Sequence, residues 1–155
     1  MKSHKFYMEL ALLAARRAGS LGEVPIGACI VKDTRVLAIA GNRRELLKDP
    51  TAHAEILALR KAAARFGDWR LYGSRVYVTL EPCPMCAGAL LLARVKEVYF
   101  GAWDPKGGAL GSLTDMTTIP GLNHRLEVTG GLLADMCAEE LKSFFKTLRN
   151  MRRDG

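Results

Sequence analysis

Four side chains in two short segments have the types and spacing to do chemistry. Thr51-Ala52-His53-Ala54-Glu55 supplies an imidazole and, two residues on, a carboxylate; Glu81-Pro82-Cys83-Pro84-Met85-Cys86 supplies two thiols three apart. On a helix that spacing puts both sulfurs on one face, and near a helix N-terminus exposed backbone N–H groups favour the thiolate. Zn2+ takes thiolate sulfur and imidazole nitrogen readily, and a catalytic zinc has three protein ligands with one position left for water. His53, Cys83 and Cys86 are therefore the candidate metal ligands. A site of this kind lowers the pKa of bound water from about 15.7 towards about 7, which makes hydroxide available at neutral pH. Glu55 is the candidate proton carrier, since a positioned general acid/base contributes about 10²–10⁴ in rate. One geometric tension stands out. Residues two apart on an ideal helix point about 200° apart, so His53 and Glu55 share a site only at an irregular helix entrance or by approaching the metal from two sides.

Other readings of the same residues stay open on spacing alone. Cys-Pro-Met-Cys after a strand and before a helix suits a thioredoxin-like redox pair, although that leaves His53 and Glu55 without a role. A structural zinc site needs a fourth protein ligand, for which Cys29, His124 or Cys137 is available. Cys29, in the apolar run 27–31, and Cys137 read instead as small core residues, free cysteine being among the most buried types. His4, in a terminus expected to be mobile, and His124, in a loop, read as non-ligands.

The elements that must position these groups follow from periodicity. Phe6, Leu10, Leu13 and Ala14 share one face of a helix over 5–18. Strands are expected over 24–31 and 35–40 around a tight turn at Lys32-Asp33-Thr34, then a loop over 42–48. Asp49-Pro50-Thr51 reads as the start of a helix running to about Phe66. A β-branched strand over 75–80 leads to a helix opened by Pro82-Cys83-Pro84. A strand over 95–101, a Gly- and Thr-rich loop over 103–123, a short strand over 126–129 and an amphipathic helix over 133–149 complete the chain. A hairpin followed by strands separated by helices predicts an α/β fold: a mixed sheet, antiparallel at one side and parallel at the other, with helices on both faces.

The 155 residues fit a single domain spanning 1–155. Hydrophobic residues make up 49% and charged residues 25%, an ordinary globular balance. The N-terminal stretch reads as neither a signal peptide nor a membrane span, so a cytoplasmic protein with reduced thiols and no membrane partner is expected. The net charge of +7 favours a polyanionic partner. Residues 142–153 concentrate Lys142, Lys146, Arg149, Arg152 and Arg153 beside Phe144 and Phe145, a combination that suits phosphates and bases.

H-x-E, then 27 residues (56–82), then C-x-x-C preceded by Pro is the arrangement that zinc-dependent nucleobase deaminases carry. Beyond it, EVPIGA (23–28), Asn42-Arg43, DPTAHAEI (49–56), LYGSRVYVTLEPCPMCAGAL (71–90), FGAWDPKGGALGSL (100–113), PGLNHR (120–125) and SFFKTLR (143–149) resemble the bacterial tRNA-specific adenosine deaminases, within the cytidine deaminase superfamily. The resemblance covers about residues 5–150. It implies a three-layer α/β/α, cytidine deaminase-like fold with a five-stranded mixed sheet, a homodimer, and one Zn2+ per subunit on His53, Cys83 and Cys86, with Glu55 as the proton shuttle. It implies as substrate the wobble adenosine of a tRNA anticodon stem-loop, converted to inosine. By position, Asn42 is implied to bond the target base, with Ile26, Ala28 and Ala54 as pocket walls. Asp104 is implied to contact the nucleotide's sugar or backbone, and Phe145 and Arg149 the anticodon loop. A deaminase of a free guanine- or cytosine-type base or nucleoside would share every catalytic residue.

Overall fold

The computed structural model describes residues 2–154. Helix α1 (His4–Ser20) is capped by Ser3, whose hydroxyl accepts from the Phe6 N–H. It turns Tyr7, Met8, Ala11, Leu12 and Ala15 inward. Strands β1 (Gly27–Lys32) and β2 (Arg35–Gly41) form an antiparallel hairpin. The turn between them puts Asp33 at φ +55, a left-handed conformation that Asp tolerates better than most residues. Helix α2 (Ala54–Phe66) ends at Gly67 in the left-handed conformation. Strand β3 (Ser74–Leu80), helix α3 (Pro84–Leu92) and strand β4 (Glu97–Ala102) follow. After a long loop with one 3-10 turn at Met116–Thr118 come the short strand β5 (Glu127–Thr129) and helix α4 (Ala134–Asp154).

The sheet order is β2-β1-β3-β4-β5; β1 pairs antiparallel with β2 and β3, whereas β3–β4 and β4–β5 are parallel. The predicted mixed α/β sheet is therefore present. Strand alternation divides the core into two layers. Ala28, Ile30, Val76, Val78, Val98 and Phe100 join Ala54, Ala58, Ala62, Ala87 and Leu90 on the α2/α3 face. Cys29, Val31 and Tyr77 join Tyr7, Met8, Ala11, Leu12 and Cys137 on the α1/α4 face. Helices thus cover both faces in three layers. Helix α1 lies so close to β1 that a Cβ at Gly27 would sit 1.9 Å from the Ala11 carbonyl oxygen, which explains the glycine there. No helix among the described residues is long and apolar enough to cross a membrane.

Two boundaries and one terminal residue differ from expectation for local reasons. Helix α2 begins at Ala54, not at Asp49, because the Asp49 carboxylate accepts from both the N–H and the hydroxyl of Thr51 and closes a separate turn. Strand β1 begins at Gly27 rather than Val24, since Pro25 has no N–H to give to a ladder. His4 is not in a mobile tail. It lies in the first turn of α1, shares a 2.7 Å hydrogen bond with the Tyr77 hydroxyl and stacks on Tyr99.

Candidate active site

The mixed sheet brings the two chemical segments together. His53 is the N-cap of α2 in an extended conformation (φ −73, ψ 153), and Cys83 is the N-cap of α3 (φ −73, ψ 173). Neither side chain is spent on capping its own helix. The His53 Nδ1 lies 3.6 Å from the sulfurs of both Cys83 and Cys86, and the three ligand atoms all fall within 4.8 Å of one another. Tetrahedral zinc with Zn–S of about 2.3 Å and Zn–N of about 2.05 Å has a sulfur–nitrogen edge of about 3.6 Å. The donor set therefore fits such an ion in both chemistry and spacing. Among the described residues no fourth His, Cys, Asp or Glu joins the cluster. Cys29 and Cys137 are buried on the opposite face of the sheet, and the His124 Nε2 is bonded to the Val95 carbonyl. The structural-zinc alternative thus lacks its fourth ligand from these residues.

The titratable groups around this point bias one another. The hydrogen bond from the Cys86 thiol pulls Cys83 down to about 4, against an opposing push from burial; the His53 imidazole adds to the lowering. The same bond, with burial, pushes Cys86 up. The Cys83 thiolate in turn raises His53. Glu55 is 4% exposed, and burial raises its carboxyl. A carboxyl held above its usual range, beside a cation site, is suited to carrying a proton at neutral pH.

A cleft of about 270 Å³ opens over these groups, lined in part by Ile26, Asn42, Ala54, Asp104 and Phe145, with His53, Glu55 and Cys83 among its walls. Asn42 donates one amide N–H to the Val24 carbonyl and accepts the Arg44 N–H, leaving one donor and one lone pair unused. The Asp104 Oδ1 accepts from the N–H groups of Lys106 and Gly107. Phe145 reaches the mouth of the cleft from α4 and is 41% exposed, so it is not a core residue. Ala28 is fully buried among the α2/α3 core and stands outside the lining, as does the exposed Arg149.

Three further residues belong to the site's construction, and residue type and spacing did not single them out. Arg44 lines the cleft. Glu23, fully buried, accepts from the N–H groups of Glu45 and Leu46 and so holds the loop after Asn42. Glu81, 2% exposed, accepts from the N–H groups of Asp104, Leu110 and Ser112. Its place directly before Pro82-Cys83 was the one available hint.

A three-layer mixed sheet that presents one imidazole, two thiols and a buried carboxylate at the N-termini of two neighbouring helices defines a deaminase. The chain belongs to the MafB19-like deaminase family, whose model matches residues 2–149. Within that class it is similar over almost its whole length to tRNA-specific adenosine deaminases. One, from Agrobacterium fabrum, is 48% identical over 96% of this chain and 98% of that protein. Another, from Bacillus subtilis, is 45% identical over 99% and 95%. A solved structure from a study of A-to-I editing by tRNA:A34 deaminases at the wobble position of transfer RNA superposes with a TM-score of 0.86 at 49% identity. It covers 89% of this chain and 100% of its own.

Proposed function

We propose that this chain is a single deaminase domain that hydrolyses adenosine to inosine at the wobble position of a tRNA anticodon, as a cytoplasmic homodimer. Support comes from the similarity to the adenosine deaminases above, and above all from Phe145. The last helix carries an exposed ring to the mouth of the cleft that holds Glu55, and the same helix is studded with exposed Lys142, Lys146, Arg149, Arg152 and Arg153. A pocket for a small free base needs no such approach; an anticodon loop with splayed bases and phosphates does.

His53, Cys83 and Cys86 would hold one Zn2+ per subunit, and the ion when bound would supply hydroxide at neutral pH, by lowering the pKa of a water, for attack on C6 of the purine. Glu55 takes the proton that the attacking water gives up and passes it to ring nitrogen N1. It then takes the remaining proton from the new C6 hydroxyl and gives it to the departing amine as the C6–N bond breaks, so that water and adenosine become inosine and ammonia. Its burial keeps this proton in the cleft. The unused donor and lone pair of Asn42 bond the base edge, with Ile26 and Ala54 as walls. Ala28 supports that wall from the core behind. Asp104 offers its remaining carboxylate oxygen to the nucleotide's sugar, and Arg149 contacts the loop outside the cleft.

The deciding experiment incubates purified protein with anticodon stem-loops bearing a wobble adenosine, and separately with free adenine, guanine and cytosine, with and without a chelator. Inosine from the stem-loop, abolished by chelation and restored by zinc, is the expected result. Ammonia from a free base with none from the stem-loop overturns the reading in favour of the free-base alternative.

A further inference from the structure

Glu81 is a buried carboxylate that the proposed chemistry does not use. Its backbone N–H donates to the Ala102 carbonyl at the end of β4, and the Ala109 N–H donates to the next carbonyl, that of Pro82. Oε1 accepts from the Asp104 N–H at 3.0 Å and from the Ser112 hydroxyl; Oε2 accepts from the N–H groups of Leu110 at 3.1 Å and Ser112 at 3.0 Å. A carboxylate has about four lone-pair sites. All four are filled by one loop, so Glu81 has nothing left to offer a substrate although it borders the cleft. Gly108 completes the nest: a Cβ there would lie 2.2 Å from the Glu81 Cδ. Neither oxygen forms an ion pair among the described residues.

We propose that Glu81 is a positioning residue that locks the 104–112 loop at a fixed offset from Cys83 and so sets where Asp104 meets the substrate. This rests on the proposed adenosine deamination and deepens it. Cys83 follows two residues after Glu81, and Asp104 is held by its own N–H to the same carboxylate, so the ligand and the substrate contact share one anchor. Glutamine is the informative replacement, because its amide has one acceptor oxygen. With the NH2 group at the Oε2 place, the Leu110 and Ser112 N–H groups face a donor. With it at the Oε1 place, Ser112 can turn its hydroxyl to accept, and the N–H left without a partner is that of Asp104.

The experiment compares wild type, Glu81→Gln, Ser112→Ala and Gly108→Ala, each alone and the first also with Asp104→Asn. The readouts are metal content, amide hydrogen exchange over 104–112, and kcat and KM on the stem-loop. Glu81→Gln should keep one metal per chain, speed exchange in the loop and raise KM about tenfold or more, with kcat changed far less. Ser112→Ala, which removes one of the four bonds, should give a smaller shift in the same direction. Gly108→Ala, which evicts the carboxylate without altering its charge, should resemble Glu81→Gln. In the Asp104→Asn background, Glu81→Gln should raise KM by less than about twofold further. An unchanged KM with a loosened loop, or an undiminished effect without Asp104, overturns the proposal. Should Glu81→Gln fail to fold, Ser112→Ala carries the same test through its KM and exchange. Absence of inosine from the wild type overturns the activity itself, and with it the loop's part in turnover.

Discussion

His53 and Glu55 face one cleft because the first caps the helix whose second residue is the other. The extended backbone at His53 (φ −73, ψ 153) turns its imidazole away from the helical array, while Glu55 sits in the first turn of α2. Cys83 stands in the same relation to α3, with Cys86 in its first turn. Two helix N-termini therefore converge on the site, each carrying the partial positive charge of its unsatisfied N–H groups. That field favours the charged forms of thiolates and of a carboxylate. It opposes the burial that raises Glu55, which leaves this carboxyl able to hold and to release a proton.

Replacing Glu55 by Gln separates binding from turnover. The amide has nearly the same shape but carries no proton between water, ring nitrogen and amine. Inosine formation on the stem-loop should fall by at least about 10²–10⁴, while one metal per chain and stem-loop affinity within a few-fold of wild type are retained. Metal analysis, a mobility-shift titration and inosine assay check this. Retained activity would remove Glu55 from the mechanism.

Metal removal should be visible in the thiols. In the zinc-loaded protein at pH 8, an alkylating reagent should modify none of the four cysteines rapidly. After chelation Cys83 and Cys86 should react, Cys83 first, since its thiol is held near 4 and is the thiolate of the pair. Cys29 and Cys137 should react after full denaturation, because burial pushes them up to about 12 and about 11. Mass spectrometry of labelled peptides gives the count. Labelling of Cys29 or Cys137 along with the first pair would place them nearer the metal than the fold does.

Much of this site is written in residue types, because metal ligation demands particular atoms: an imidazole and two thiols cannot be disguised. The sheet was legible for a different reason: β1 and β3 are near-continuous apolar or β-branched runs because helices bury both of their faces, whereas the helical periodicity of α1 and α4 follows from burial on one face. The start of α2 was not, because Asp49 and Thr51 satisfy each other in a turn that has the same composition as a helix cap. Glu23 and Glu81 were hidden for a deeper reason. A glutamate is normally exposed, and what makes these two structural is a set of backbone N–H groups from loops 22 to 31 positions away, which no local pattern announces. The setting of Phe145 likewise depended on the rotation of α4 about its axis, which put Phe145, rather than its neighbour, at the cleft.

The buried thiols also predict an alkaline limit. Cys29 and Cys137 have folded-state pKa values raised above that of an unfolded thiol. Their contribution to stability is present in full below the unfolded value, near 8.5, and is lost as pH rises from there towards about 12 for Cys29 and about 11 for Cys137. Within that window each thiol should lower the unfolding free energy by up to about 1.4 kcal/mol per pH unit. Urea midpoints measured from pH 8 to 10.5 should therefore fall less steeply for Cys29→Ala than for wild type, whatever the constant offset from the lost side chain. Parallel slopes would show that Cys29 ionises as freely in the native state as in the unfolded chain.

Phe145 and Arg149 should lose different things when truncated. The Phe145 ring is 41% exposed, so little core packing depends on it. Phe145→Ala should leave the melting temperature nearly unchanged and weaken stem-loop binding by about 1–3 kcal/mol, the value of one stacked base, whereas Phe145→Tyr should keep the affinity. Arg149 is exposed and lies outside the cleft. If it meets a phosphate, Arg149→Ala should weaken binding irrespective of loop sequence and reduce the slope of log K against log salt by about 0.7. Titrations of both variants at several salt concentrations separate the two contacts. A Phe145 variant that changed the salt slope, or an Arg149 variant that left it untouched, would mean that α4 meets the RNA in another register, with Lys142 or Lys146 in place of Arg149.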